Sequence, residues 1–119
     1  MSGIYEFGYR TPRFPADFHF LLQTGDPEPR LVDARCLDIS EEGIAAQIAE
    51  HLDVGAVVTM ILTFPGMATT VRISARVCNR QDEDHGFAFL FSSQSERDDV
   101  RRYVASLRGE TIRMVSRSK

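Results

Sequence analysis

Asp38-Ile39-Ser40-Glu41-Glu42-Gly43 sets a short carboxylate, a hydroxyl and a glycine in a D-x-S-x-x-G spacing. Upstream, Arg10-Thr11-Pro12-Arg13 places two guanidinium groups just ahead of an apolar run. A carboxylate accepts hydrogen bonds from the N–H edge of guanine, and an arginine fork reaches guanine O6/N7 or phosphate oxygens. Together the two stretches suit a guanine base that carries phosphate. Without such a ligand, Asp38 and Ser40 make a polar turn by bonding local N–H groups, and Gly43 takes positive φ. On that reading Arg10 and Arg13 are solvated surface charge.

The elements that position these residues follow from hydrophobic period. Phe14, Ala16, Phe18 and Phe20 alternate with Pro15, Asp17 and His19, which predicts a first strand. Gly25-Asp26-Pro27-Glu28-Pro29 is a loop. Leu31 to Ile39 predicts a second strand, with Leu31, Asp33, Arg35 and Leu37 on one face and Val32, Ala34 and Cys36 on the other. Ile44 to Ile48 reads as a short strand, with helix as the competing assignment because the stretch is alanine-rich. Leu52-Asp53-Val54-Gly55 turns into a long strand from Ala56 to Phe64, and Pro65-Gly66 turns out of it. Val71, Ile73, Ala75 and Val77 alternate with Arg72, Ser74 and Arg76, the cleanest strand of the chain. Gln81 to His85 is a charged hairpin loop, with His85 a loop residue, and Gly86 to Phe91 is the last strand, its Phe87, Phe89 and Phe91 facing the core. Ser93-Gln94-Ser95-Glu96 is a capping box, Val100, Tyr103, Val104 and Leu107 form one helix face, and Gly109 is a C-terminal stop. The expected fold is all-β: a small antiparallel barrel with one C-terminal α-helix closing an open end. Residues 1–13 form a flexible N-terminal arm, 14–109 the barrel and helix, and 110–119 a basic frayed tail.

Bulk properties narrow the function. A chain of 119 residues with 43% hydrophobic and 26% charged residues supports one globular domain with its own core. A net charge of -3 argues against a general DNA or RNA binder, yet leaves room for a small anion held by a few arginines. Cys36 and Cys78 both sit in apolar runs and read as buried thiols. The histidines and cysteines have no metal-ligand spacing, and no catalytic residue is expected. No nucleophile stands in a recognisable pattern with a base, and no glycine-rich phosphate loop is present, so an enzyme is not expected. No secretion signal or membrane-spanning run is seen, which predicts a cytoplasmic protein.

In this order the features resemble a PilZ domain. They are the arginine cluster, the D-x-S-x-x-G hexapeptide after the second strand, the Leu52–Gly55 turn, the strand around Ala75-Arg76-Val77, the Gly86-Phe87-Ala88-Phe89 strand and a C-terminal helix. The resemblance implies a six-stranded barrel and, as for many PilZ domains, binding of cyclic di-GMP, a bacterial second messenger. It also implies a signalling role through a protein partner, in motility, pili, exopolysaccharide or biofilm control. In the family an R-x-x-x-R motif clamps the phosphates and guanine, the acid and serine of the second motif bond the guanine edge, and the glycine lets the backbone turn closely. The resemblance places those roles on Arg13, Asp38, Ser40 and Gly43, with Arg76 on the barrel surface as an additional contact. Tyr9 stands where the family has its first arginine. Residues three apart point oppositely in a strand, but Pro12 favours polyproline geometry at Thr11, which realigns Arg10 with Arg13 about 9 Å apart. Tyr9 can also stack on a guanine ring, whereas Tyr5, Phe7 and Tyr9 otherwise read as an arm packed on the barrel. Losing one charge-assisted bond costs roughly 1.5–3 kcal/mol, about ten- to a hundredfold in affinity. Two other readings stand beside this one. The first is a degenerate PilZ domain that no longer binds nucleotide and acts as an interaction module in pilus or motility machinery. The second, which the acidic balance disfavours, is a barrel for single-stranded nucleic acid.

Overall fold

The computed structural model of the chain describes residues 11–25 and 28–117, with side chains described as far as residue 109. Period-two alternation builds the longer strands, which bury every second side chain except where a β-bulge shifts the phase. Their order is β1 (Phe14–Pro15), β2 (His19–Gln23), β3 (Leu31–Ile39), β4 (Gly43–Gln47), β5 (Val57–Thr63), β6 (Thr70–Gln81) and β7 (Asp84–Leu90), followed by α1 (Gln94–Arg117). Antiparallel pairing runs β3-β2-β5-β6-β7-β4, and a further β4–β3 pairing closes the ring into a six-stranded barrel. The two-residue β1 is an extra strand on the same edge of β3 as β2, pairing Phe14 with Ile39 and Pro15 with Asp38. Phe20, Leu22, Ile44, Ala46, Met60, Leu62, Ile73, Ala75, Val77 and Phe87 fill the interior.

The all-β barrel with a C-terminal helix agrees with the sequence, and the differences have local causes. The expected first strand is split into β1 and β2. Pro15 offers no N–H, and the Ala16–Phe18 stretch keeps only single backbone bonds to β3, from Ala16 N to Leu37 O (3.3 Å) and from Cys36 N to Phe18 O (2.8 Å). Residues 43–47 are a strand, not a helix, because Ile44, Ala46 and Ile48 are buried at period two. The charged hairpin is tighter than expected: Gln81 pairs with Asp84, and Asp82 takes a left-handed φ of 57°. Cys78 is exposed, since it falls on the outward phase next to buried Val77. His85 is a buried strand residue, 1% exposed, whose Nδ1 meets the Glu83 carbonyl (2.9 Å) and whose Nε2 accepts from Leu52 N (3.4 Å). Two predicted turns are present, with Gly55 and Gly66 at φ 97° and 83°.

The helix α1 caps one end of the barrel. The Ser93 hydroxyl accepts from Glu96 N (3.2 Å), and Glu96 reaches back to the Ser92 N–H (2.9 Å), a capping box displaced by one residue. Val100, Tyr103 and Val104 are buried, and the Tyr103 ring stacks on Phe64 at 4.6 Å and meets Phe18 edge-on at 5.7 Å. Gly109 does not stop the helix, which runs on to Arg117. A glycine stop needs a left-handed φ, and Gly109 is not among the residues that have one. Among the described residues no helix is long and apolar enough to cross a membrane.

Candidate functional site

A β-bulge decides where Asp38 points. Ala34 and Cys36 face the interior, so strict alternation would send Asp38 inward as well. The β3–β4 register instead shifts between Cys36 and Asp38. The extra residue, Leu37, reverses the phase, which buries Ile39 completely and leaves the Asp38 carboxylate 37% exposed on the outer face.

Arg13, from 25 residues earlier in the chain, meets that carboxylate. Its Nε lies 2.8 Å and its Nη2 2.7 Å from the same oxygen, Asp38 Oδ1. Both of these contacts fall on Oδ1. At 34% and 37% exposure the pair is worth only about 0–1 kcal/mol, so it breaks at little cost.

Ser40 and Gly43 build the turn that follows. The Ser40 hydroxyl is fully buried and accepts from Glu42 N and Gly43 N, both at 3.1 Å. It donates in turn to Gly43 O (3.4 Å), while Ser40 N donates to the same carbonyl (2.9 Å). Its bonding capacity is therefore spent on the turn. Gly43 is not in the left-handed region expected of it; it is required by close packing, because a Cβ there would strike the Phe87 carbonyl of β7. Phe89 N donates to Glu42 O (2.9 Å), tying the same turn to the sheet.

Arg76 lies on β6 in the row Gly43–Ala88–Arg76, two strands across from the hexapeptide, and is exposed on the outer face. Tyr9 and Arg10 lie outside the described residues. The structure thus joins Arg13 with Asp38, sets Ser40 and Gly43 directly behind them, and leaves Arg76 at the same level farther round the barrel.

A groove and two ion pairs beside the site were not singled out from the sequence. A groove of about 300 Å³, lined by Pro15, Ala16, Asp17, Arg35, Cys36 and Leu37, adjoins Asp38. Across it Arg35 donates from Nε and Nη2 to the two Asp17 oxygens at 2.9 and 3.1 Å. These hydrogen bonds, and the charge behind them, lower the Asp17 pKa and raise that of Arg35. Behind the groove, burial pushes the Cys36 thiol up to about 12, with the Asp38 charge adding to it. Glu41, inside the hexapeptide, accepts from Arg101 Nε of α1 at 3.3 Å. The signal for Arg101 was its place on the polar side of the helix pattern, which carried no hint of what it faces.

The PilZ domain family model matches residues 9–106. The chain belongs to the PilZ domain family. Its match begins at Tyr9 and takes in Arg13, the hexapeptide and about the first half of α1. Solved PilZ structures share its fold at low identity. The PilZ domain of CeSA from a cellulose-synthesizing bacterium is 19% identical, with a TM-score of 0.67 over 81% of this chain and 97% of that one. The PilZ domain of YcgR from Escherichia coli, solved with c-di-GMP, is 18% identical, with a TM-score of 0.66 over 90% and 96%. The K. pneumonia MrkH–c-di-GMP complex is 20% identical, with a TM-score of 0.69; this chain covers 54% of MrkH and 50% of a longer YcgR structure. The chain has no match among curated protein sequences.

Proposed function

We propose that this PilZ domain is a cytoplasmic receptor for cyclic di-GMP. One observation carries the reading: Arg13 and Asp38, the two halves of the motif pair, converge on the outer face within hydrogen-bonding distance. The solved complexes of YcgR and MrkH with c-di-GMP support it at the level of the fold. In the proposed complex the guanine N–H edge bonds the Asp38 carboxylate, and Arg13 turns its fork to phosphate or to guanine O6/N7. Ser40 and Gly43 act by shaping the turn that presents Asp38, and Arg76 borders the bound ligand. Tyr9 and Arg10 close over it from the arm. Binding changes the surface shown to a protein partner, a shift driven by contacts made only in the closed state. The role is that of a binding domain, not an enzyme.

Isothermal calorimetry with cyclic di-GMP is the direct test. Measurable binding is expected, with Asp38→Ala and Arg13→Ala each weakening it strongly. Absence of heat at high micromolar ligand would sink the reading for the native chain. Tyr9 in place of arginine favours a second reading, a PilZ domain that serves only as an interaction module. That reading predicts no binding by the native chain and a gain of binding in Tyr9→Arg.

A further inference from the structure

A cyclic dinucleotide carries two phosphates, and the arm lacks an arginine at position 9. The helix α1 offers a replacement. Arg97, Arg101 and Arg108 recur at i, i+4 and i+11, which puts them in one stripe of a helix with 3.6 residues per turn. Each touches a different part of the barrel mouth. The Arg97 guanidinium lies over the Phe91 ring, 4.7 Å from its centre. Arg101 holds Glu41 of the hexapeptide at 3.3 Å. The Arg108 guanidinium lies over the Phe14 ring, 5.6 Å from its centre.

Phe14 immediately follows Arg13, and its strand partner Ile39 immediately follows Asp38. Arg101 therefore holds a residue of the hexapeptide itself, and Arg108 reaches the residue next in the chain to Arg13. Among the described residues Arg108 has no carboxylate within ion-pair distance. A guanidinium placed over an aromatic ring gives no N–H to an acceptor there, so its donors stay available to fork onto phosphate. Arg101 serves the same end differently: it neutralises Glu41, a carboxylate that would otherwise repel a phosphate at the turn.

We propose that Arg108 of α1 supplies the second phosphate-binding cation of this site, in place of the arginine missing at position 9. The inference rests on the cyclic di-GMP reading and adds a residue to it from outside the motif. It also makes α1 part of the binding surface, so that ligand occupancy is felt directly by the C-terminal helix.

The test is calorimetry with cyclic di-GMP on the full chain and on Arg108→Gln, Tyr9→Arg, the double variant and Arg10→Gln, with thermal melts as a folding control. Arg108→Gln is expected to melt like the native chain and to bind roughly ten- to a hundredfold more weakly. Adding Tyr9→Arg to it is expected to restore most of the loss. Native-like binding by Arg108→Gln overturns the inference and leaves the receptor reading standing, as does a loss carried by Arg10→Gln instead. A native chain that fails to bind while Tyr9→Arg binds shows that Arg108 does not substitute. Failure of both to bind removes the receptor reading itself.

Discussion

Gly43 and Cys36 show how single residues frame the candidate site through packing and burial. A Cβ at position 43 meets backbone, the Phe87 carbonyl, and cannot be relieved by rotating a side chain. Gly43→Ala is expected to destabilise the fold by about 1–3 kcal/mol, as overpacking does, and a urea titration reads it as a lower midpoint. A left-handed glycine would have lost stability through strain; here the loss comes from β4 and β7 being forced apart, so cross-strand amides of Ile44 and Phe87 should exchange faster. Cys36 and Cys78 separate by exposure: a thiol reagent is expected to modify Cys78 in the native protein and both residues only after unfolding. Folding raises the Cys36 pKa from 9.0 to about 12, so the native state keeps a proton that the unfolded chain releases. Stability is then intact below pH 9 and falls as pH rises toward 12, and Cys36→Ala should flatten that alkaline limb of a denaturation-versus-pH curve. Asp17 works in the opposite sense: its lowered pKa gives stability that is present at neutral pH and lost in acid below the ordinary carboxylate value of 3.8.

At the scale of elements, the helix α1 is the part the sequence described least well. Its cap and its buried face were legible, because Ser93–Glu96 and the Val100–Leu107 spacing are local signals. Its end was not. Gly109 reads as a stop only if it adopts a left-handed φ, and propensity alone does not say whether it does. Inside a continuing helix a glycine is a weakness of about 0.5–1 kcal/mol relative to alanine. Gly109→Ala is therefore expected to raise the unfolding midpoint by a few degrees. A cap at Gly109 would give the reverse, a lower midpoint, so a single melt separates the two. The strands were more legible, since burial follows period two: β3 spans the predicted Leu31–Ile39. Its bulge was not, and the bulge is what turns Asp38 outward. A second register shift, between Val77 and Asn79, turns Arg80 toward the Leu52 carbonyl (2.9 Å) and pairs it with buried His85. Both shifts depend on which strand lies alongside, a non-local fact that alternation within one segment does not contain. The motif thus named the candidate residues, while cross-strand register set their direction.

For the whole molecule, the consequence is that the barrel folds around a core independent of the site. Arg13 and Asp38 lie outside it, joined by a pair that contributes about 0–1 kcal/mol. Breaking that pair should leave the melt nearly unchanged, whereas filling the site should not. A ligand bound only to the native state stabilises it by about 2.7 kcal/mol at a concentration one hundred times its Kd. For a domain of this size that corresponds to a rise of roughly 10 °C in midpoint. Cyclic di-GMP is expected to produce such a concentration-dependent rise in the native chain, read by differential scanning fluorimetry. Asp38→Ala should start from nearly the same midpoint and show little or no rise at the same concentrations. A native chain whose midpoint ignores the ligand would point to the interaction-module reading. An Asp38→Ala chain that shifts like the native one would place the ligand elsewhere on the barrel. The comparison works because the core and the proposed binding pair occupy opposite faces of the same strand: Ala34, Cys36 and Ile39 hold β3 to the core, and Asp38 faces out.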